Sequence, residues 1–186
     1  MCPVEEGGAP APRPAQPADG CDAAGYPSFT RHDVSWFSSE ARPRSGAFSM
    51  TGFDPAAAGW AQVDNDQMPA NIGTPWRKHE DGRWIYGLRT RPDHANPAGA
   101  VHGGILVAFA DHTLGCYVEA AANGAPNVTI QLNTHFLSAV QPGEFLELRG
   151  EVTRATGSMV FVRGIIAVGA RDAVALDGIW RVFRPR

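Results

Sequence analysis

The chain has 186 residues, a length that points to one domain with room for an appendage. Its formal net charge of -3, with no segment rich in Lys and Arg, argues against a nucleic-acid partner. No apolar run reaches the roughly 18 residues of a membrane span, and Met1-Cys2-Pro3-Val4-Glu5-Glu6-Gly7-Gly8 lacks the basic start and apolar centre of a secretion signal, so a soluble, cytoplasmic protein is expected.

Residues 1–27 hold Pro3, Pro10, Pro12, Pro14, Pro17 and Pro27 among Ala and Gly, too little apolar surface to offset the entropy of ordering, and are expected to be a disordered tail. Residues 28–70 regain aromatics (Phe29, Trp36, Phe37, Phe48, Phe53, Trp60) without strand alternation and read as an extension packing on the core. Within it Asp54-Pro55-Ala56-Ala57-Ala58 has an N-cap, a proline at the first helical position and a short helix to follow. The main domain is placed at residues 71–186. Asp81-Gly82 marks a hairpin before a strand over 83–90, and 91–99 has the Pro and Gly density of a loop.

A long apolar helix is predicted from about Val101 to Ala122, ending at Asn123-Gly124. Then Val128, Ile130 and Leu132 alternate with Thr129, Gln131 and Asn133, a strand with one apolar and one polar face. Three more strands, 144–153, 159–168 and 173–183, are separated by the turns Gln141-Pro142-Gly143, Thr156-Gly157-Ser158 and Ala170-Arg171-Asp172. A helix apolar nearly all round needs burying, and the sheet is its only partner, so the sheet is expected to curl around it. Short hairpins make that sheet mainly antiparallel and the class α+β.

Two features of the helix exceed what stability selects. Gly103-Gly104 at its start costs about 0.5 to 1 kcal/mol per glycine relative to alanine. Either the helix passes so close to a strand that a Cβ would clash, or bare N–H groups at the positive end of the helix dipole bind an oxyanion or a polarised carbonyl. Asp111, between Phe109-Ala110 and His112-Thr113-Leu114, either bonds a local hydroxyl such as Thr113 or serves as a general base or nucleophile. His102 is a structural cap or a base. Asn96 is a turn residue or a donor to a carbonyl or water. Thr129 is by default a strand former.

The three cysteines, Cys2, Cys21 and Cys116, share no ligand spacing, and the six histidines include no HExxH, so no metal or cofactor is expected; Cys116 reads as a small apolar group on the helix. From Gly103 to Asp111 is eight residues, about 12 Å along the axis, too far to serve one carbonyl from one chain. Two chains about a two-fold axis with antiparallel helices would bring Asp111 of one near Gly103 of the other. The expectation is therefore a homo-oligomer with its site at the subunit interface.

Asn96-x-x-Gly99-x-x-His102-Gly103-Gly104, six residues, then Asp111, resembles the signature of hotdog-fold acyl-CoA thioesterases of the phenylacetate-degradation (4-hydroxybenzoyl-CoA thioesterase-like) type, a likeness covering roughly residues 70–186. The resemblance implies a curled antiparallel sheet of about five to six strands wrapped around one long helix, and hydrolysis of an acyl-CoA to free acid and CoA. It implies that the Gly103 N–H meets the thioester carbonyl with help from Asn96. Asp111 of the partner chain would activate water or attack directly, and Thr129 would help position that water. His102 would be mainly structural beside Gly104, and the assembly a dimer or a dimer of dimers. Arg154, with Gly157 and Ser158 near a strand turn, is either a contact for the CoA phosphates or part of a solvated surface turn. The alternative is a non-catalytic binder of acyl-CoA or a lipid-like ligand in the same cavity.

Overall fold

Alternating and helical patterns settle into one sheet and one helix in the computed structural model, which describes residues 53–63 and 68–183. The proposed tail, most of the aromatic extension, Cys2 and Cys21 lie outside the described residues. The elements are β1 (Ala61–Gln62), β2 (Trp76–Glu80), β3 (Arg83–Arg89), α1 (Gly103–Ala121), β4 (Asn127–Phe136), β5 (Phe145–Ala155), β6 (Met159–Val168) and β7 (Arg171–Val182). Seven strands form one sheet in the order β1-β2-β3-β5-β6-β7-β4, every pairing antiparallel. The strand beyond the expected five to six is the two-residue β1, which pairs Ala61 with Arg77. The class is α+β, with a curled sheet packed on one helix and not closed into a barrel.

The turns follow local chemistry. Asp81 (φ 50) and Gly82 (φ 77) both occupy the left-handed region that a tight hairpin needs. Helix α1 stops where Asn123 (φ 56) and Gly124 (φ 80) take the same conformation and the Gly124 N–H returns to the Glu119 carbonyl at 2.9 Å. The short helix expected after Asp54 is a single turn instead. Asp54 Oδ1 accepts the Ala56 N–H at 2.9 Å as an N-cap would, but Gly59 (φ 82) reverses the chain and Trp60 packs with Ile85 and Phe145.

Helix α1 buries Leu106, Phe109, Ala110, Thr113, Leu114 and Val118, a stripe at the three- and four-residue spacing of one helical face. It packs on Leu146, Leu148, Val162, Ile166 and Val174 from β5, β6 and β7. The all-round burial inferred from composition is not what the fold delivers: Val107, Ala108, Asp111, His112, Gly115 and Cys116 are only half-buried. The sheet has one concave face, and it seals one side of the helix.

Strand β4 departs from its expected alternation. The expected apolar face would turn Val128 and Ile130 inward, yet they are 50% and 53% exposed. A bulge between Thr129 and Gln131 is the reason: Thr129 pairs with Trp180 and Gln131 with Ile179, leaving Ile130 as the extra residue. One inserted residue swaps the faces on either side of it. Thr129 therefore shares the inner face with Trp180, and Leu132 still reaches the core.

Gly178 shows how tightly β4 is seated on β7. A Cβ there would lie 2.6 Å from the Gln131 carbonyl oxygen, which is backbone and has nowhere to go, and 2.6 Å from the Trp180 ring. Gly178→Ala is expected to cost about 1 to 3 kcal/mol of stability through overpacking, read as a shift in the urea midpoint; an unchanged midpoint would show that the two strands tolerate separation.

Candidate active site

The loop leading into α1 is built around a buried histidine. His94, 2% exposed, accepts the Arg91 N–H at Nδ1 (3.2 Å), and its Nε2 lies 3.1 Å from the Asn71 carbonyl oxygen. Because a carbonyl only accepts, the ring proton belongs on Nε2. Arg91 also donates to the Asn71 carbonyl and to Asp93, and the guanidinium's hydrogen bonds hold the Asp93 carboxyl down at about 2. Further along, Asn96 Oδ1 accepts the N–H groups of Ala98 (2.9 Å) and Ala100 (3.3 Å), and Gly99 (φ 83) completes the turn. The Asn96 oxygen is thus committed to its own loop, and its amide nitrogen is the side with donors to offer.

His102 is the N-cap of α1. Its N–H donates to the His94 carbonyl at 2.8 Å, while its Nδ1 accepts the Gly104 N–H at 3.1 Å. Its carbonyl takes the Ile105 N–H at 2.9 Å. Of the donors a helix start leaves over, Gly104 and Ile105 are satisfied internally; among the described residues no acceptor faces the Gly103 N–H. The steric reading of Gly103 also has substance, since a Cβ there would meet the Phe136 ring at 2.9 Å. Close approach of the Phe136 ring is therefore one reason for the glycine, and its N–H stays without an internal acceptor among the described residues.

Asp111 bonds not the neighbouring Thr113, whose hydroxyl donates to the Phe109 carbonyl at 2.7 Å, but Thr129, eighteen residues on, whose hydroxyl donates to Asp111 Oδ1 at 2.6 Å. The β4 bulge makes this pair possible by turning Thr129 toward the helix. Asp111 is half-buried in the single chain, on the flank of α1 that faces the sheet's free edge, rather than sunk in apolar surroundings.

The residues expected at the site fall into two groups. Asn96, His102, Gly103 and Gly104 lie at or just before the start of α1, where Phe136 packs on Gly103, whereas Asp111 and Thr129 meet about 12 Å further along the helix axis, near the start of β4. Arg154, Gly157 and Ser158 are exposed at the β5–β6 turn. That turn lies toward the Thr129 end, because Met159 and Val128 both pair with Arg181. Phe136 was missed by sequence reasoning; in simple alternation it is one more core residue of β4, and nothing local signals its contact with Gly103.

An open cleft of about 210 Å³ lies elsewhere, on the opposite flank of α1, lined by Trp84, Tyr86, Cys116, Tyr117, Gly150 and Val152 among others. Burial pushes the Tyr117 hydroxyl up to about 12 and raises Tyr86 as well. Cys116 is half-buried here, with its sulfur 3.5 Å from the His112 carbonyl oxygen. Among the described residues no three His, Cys, Asp or Glu side chains gather as metal ligands, and no helix is long and apolar enough to cross a membrane.

Residues 98–171, which run from the Asn96 loop through β6, match the family model of the thioesterase superfamily. The chain has the hotdog fold, and within residues 98–171 it is similar to the thioesterase superfamily. It is similar to a Pseudomonas aeruginosa protein that carries an esterase name, at 28% identity over 108 residues, 57% of this chain and 80% of that one. Human acyl-coenzyme A thioesterase 13 is 24% identical over 80 residues, 43% of this chain and 57% of that protein. The fold is shared with a hypothetical thioesterase from Streptococcus pneumoniae TIGR4 crystallised with coenzyme A (TM-score 0.53, 19% identity, 69% of this chain and 89% of that one). It is shared equally with the E. coli PaaI protein of the phenylacetic acid degradation operon (TM-score 0.53, 14% identity, 70% and 83%).

The packing at the helix start can be separated from its chemistry by a double-mutant cycle. Gly103→Ala alone should lower stability, and in a Phe136→Ala background the penalty should shrink by about 1 kcal/mol or more, measured by urea unfolding of all four proteins. Equal penalties in both backgrounds would remove the ring as a reason for the glycine.

Proposed function

We propose that the protein hydrolyses acyl-CoA thioesters to free acid and CoA, at sites built from two copies of the chain. The observation that carries this reading is the division of the site: an uncommitted Gly103 N–H at the helix start and a hydroxyl-oriented carboxylate about 12 Å further along the same axis. One chain cannot apply both to a single carbonyl. Two chains with antiparallel helices apply each to the other's.

In that arrangement the thioester oxygen accepts the Gly103 N–H at the positive end of the helix dipole, with the Asn96 amide as second donor. Asp111 of the partner chain, held by Thr129, takes a proton from water as the water adds to the carbonyl carbon, or adds to that carbon itself. Negative charge moves onto the carbonyl oxygen, where the Gly103 N–H is already oriented. Collapse of the adduct breaks the C–S bond and releases CoA as thiolate; in the direct-attack variant water then cleaves the acyl-Asp111 anhydride. His102 acts through the backbone, by occupying the Gly104 N–H and fixing the first turn. Arg154, with Gly157 and Ser158, is the proposed contact for the CoA phosphates at the Asp111 end.

The half-covered face of α1, with Gly104, Ala108 and Gly115, supports the pairing by allowing close helix approach, and so do Val128 and Ile130, exposed on the edge strand β4. A dimer of dimers would add a second interface to this pairing. Similarity to thioesterases, one of them crystallised with coenzyme A, supports acyl-CoA as the substrate class.

Asp111→Asn is expected to reduce thiol release from the best acyl-CoA of a short, medium, long and aryl panel by about a hundredfold or more. A variant as fast as wild type would refute the assigned role. Thr129→Val should lower kcat with little change in KM, because it frees the carboxylate without touching substrate. Sharing of the site has its own check. Asn96→Ala and Asp111→Asn chains, each impaired alone, should recover up to about a quarter of wild-type activity when refolded together, since half the dimers are mixed and each mixed dimer has one intact site. No recovery, or sedimentation as a monomer at micromolar concentration, would contradict the two-chain site.

A further inference from the structure

We infer that Phe136 is a specificity-determining residue that contacts the acyl arm of the bound thioester, an inference that rests on the carbonyl site proposed at Gly103. Along a helix the N–H groups point toward the N-terminus, and each Cα–Cβ bond tilts the same way. A group lying where the Gly103 Cβ would go therefore lies alongside whatever the Gly103 N–H holds. The Phe136 ring occupies that place: its Cζ, Cε1 and Cε2 are 2.9, 3.2 and 3.6 Å from the ideal Cβ position. A carbonyl oxygen within hydrogen-bond distance of the N–H brings its carbon and first substituents against this ring.

The ring is also open to receive them. In the single chain Phe136 is 58% exposed, so the end of β4 offers an apolar ring at the point where the helix start is bare. The inner-face register of β4 (Thr129, then Leu132, Thr134 and Phe136 after the bulge) aims the ring at α1 rather than outward. Of the two arms of an acyl-CoA thioester, the CoA arm continues into amides and phosphates, whereas the acyl arm is hydrocarbon. The apolar ring matches the acyl arm, and it rewards arms that cover more of it: an acetyl group presents one methyl to the ring, and a chain of several methylenes lies across it.

The test compares straight-chain acetyl-, butyryl- and hexanoyl-CoA on wild type, Phe136→Ala and Phe136→Leu. Wild type should favour hexanoyl over acetyl in kcat/KM, Phe136→Ala should reduce that ratio about tenfold, and Phe136→Leu should restore part of it. A ratio that stays constant, or a uniform loss on all three substrates, would overturn the inference, the second outcome assigning Phe136 to packing alone. Calorimetry with non-hydrolysable ketone thioethers of CoA bearing the same three chains gives an independent ratio of dissociation constants. If wild type releases no thiol from any substrate, the hydrolase reading fails, while that ratio still decides whether Phe136 reads the acyl arm.

Discussion

Everything placed at the candidate site depends on one packing contact, the seating of the Leu106-Phe109-Ala110-Thr113-Leu114-Val118 stripe of α1 on β5, β6 and β7. The stripe fixes the roll of the helix, and the roll decides which residues flank it. Asp111 lies on the flank toward β4, and Cys116 on the flank toward β3 and β5. A different roll would bury the carboxylate or turn it to solvent. Burial of six side chains thus sets the azimuth of one carboxylate, with a free energy of packing far larger than that of a single hydrogen bond.

The two ends of the helix are handled by different physics. At the start, the main chain does the work: the His94 carbonyl holds the His102 N–H, His102 Nδ1 takes the Gly104 N–H, and the neighbouring donor on Gly103 is left over. In the middle, side chains do it, with a threonine hydroxyl donating to a carboxylate. The first arrangement is rigid because it is built from a capped turn and a buried imidazole. The second relies on β4 keeping its place on β7, where a bulge turns the threonine inward.

Sequence reading reached the helix and its stop at Asn123-Gly124, the hairpin at Asp81-Gly82 and every long strand, because each carries periodicity or a turn residue with its own mechanism. It reached the spacing from Asn96 to Asp111 for the same reason: the motif is contiguous. What it misread was non-local. The bulge at Ile130 has no glycine or proline to mark it, and it appears only when β4 is laid on β7. The half-exposed side of α1 was hidden by composition, which records that a helix is apolar but not how much of it one sheet can cover. Phe136 was not singled out in the sequence, because its contact with Gly103 comes from the fold bringing the end of one element over the start of another.

The position of β4 has a consequence for how the chain comes to be folded. It follows α1 directly in sequence, yet within the chain its neighbour in the sheet is β7, whose residues 174–182 are made some 45 residues later. During synthesis α1 and β4 leave the ribosome well before the strand that receives β4. In that interval Val128, Ile130 and Phe136 stand on an unpaired segment, a condition that favours capture by chaperones or mispairing with another nascent chain. Long-range strand pairing of this kind is slow to form because the intervening loop must close first. The Thr129–Asp111 contact is therefore among the last features of the fold to be completed, and chains stalled short of β7 carry a finished glycine loop and an unfinished carboxylate.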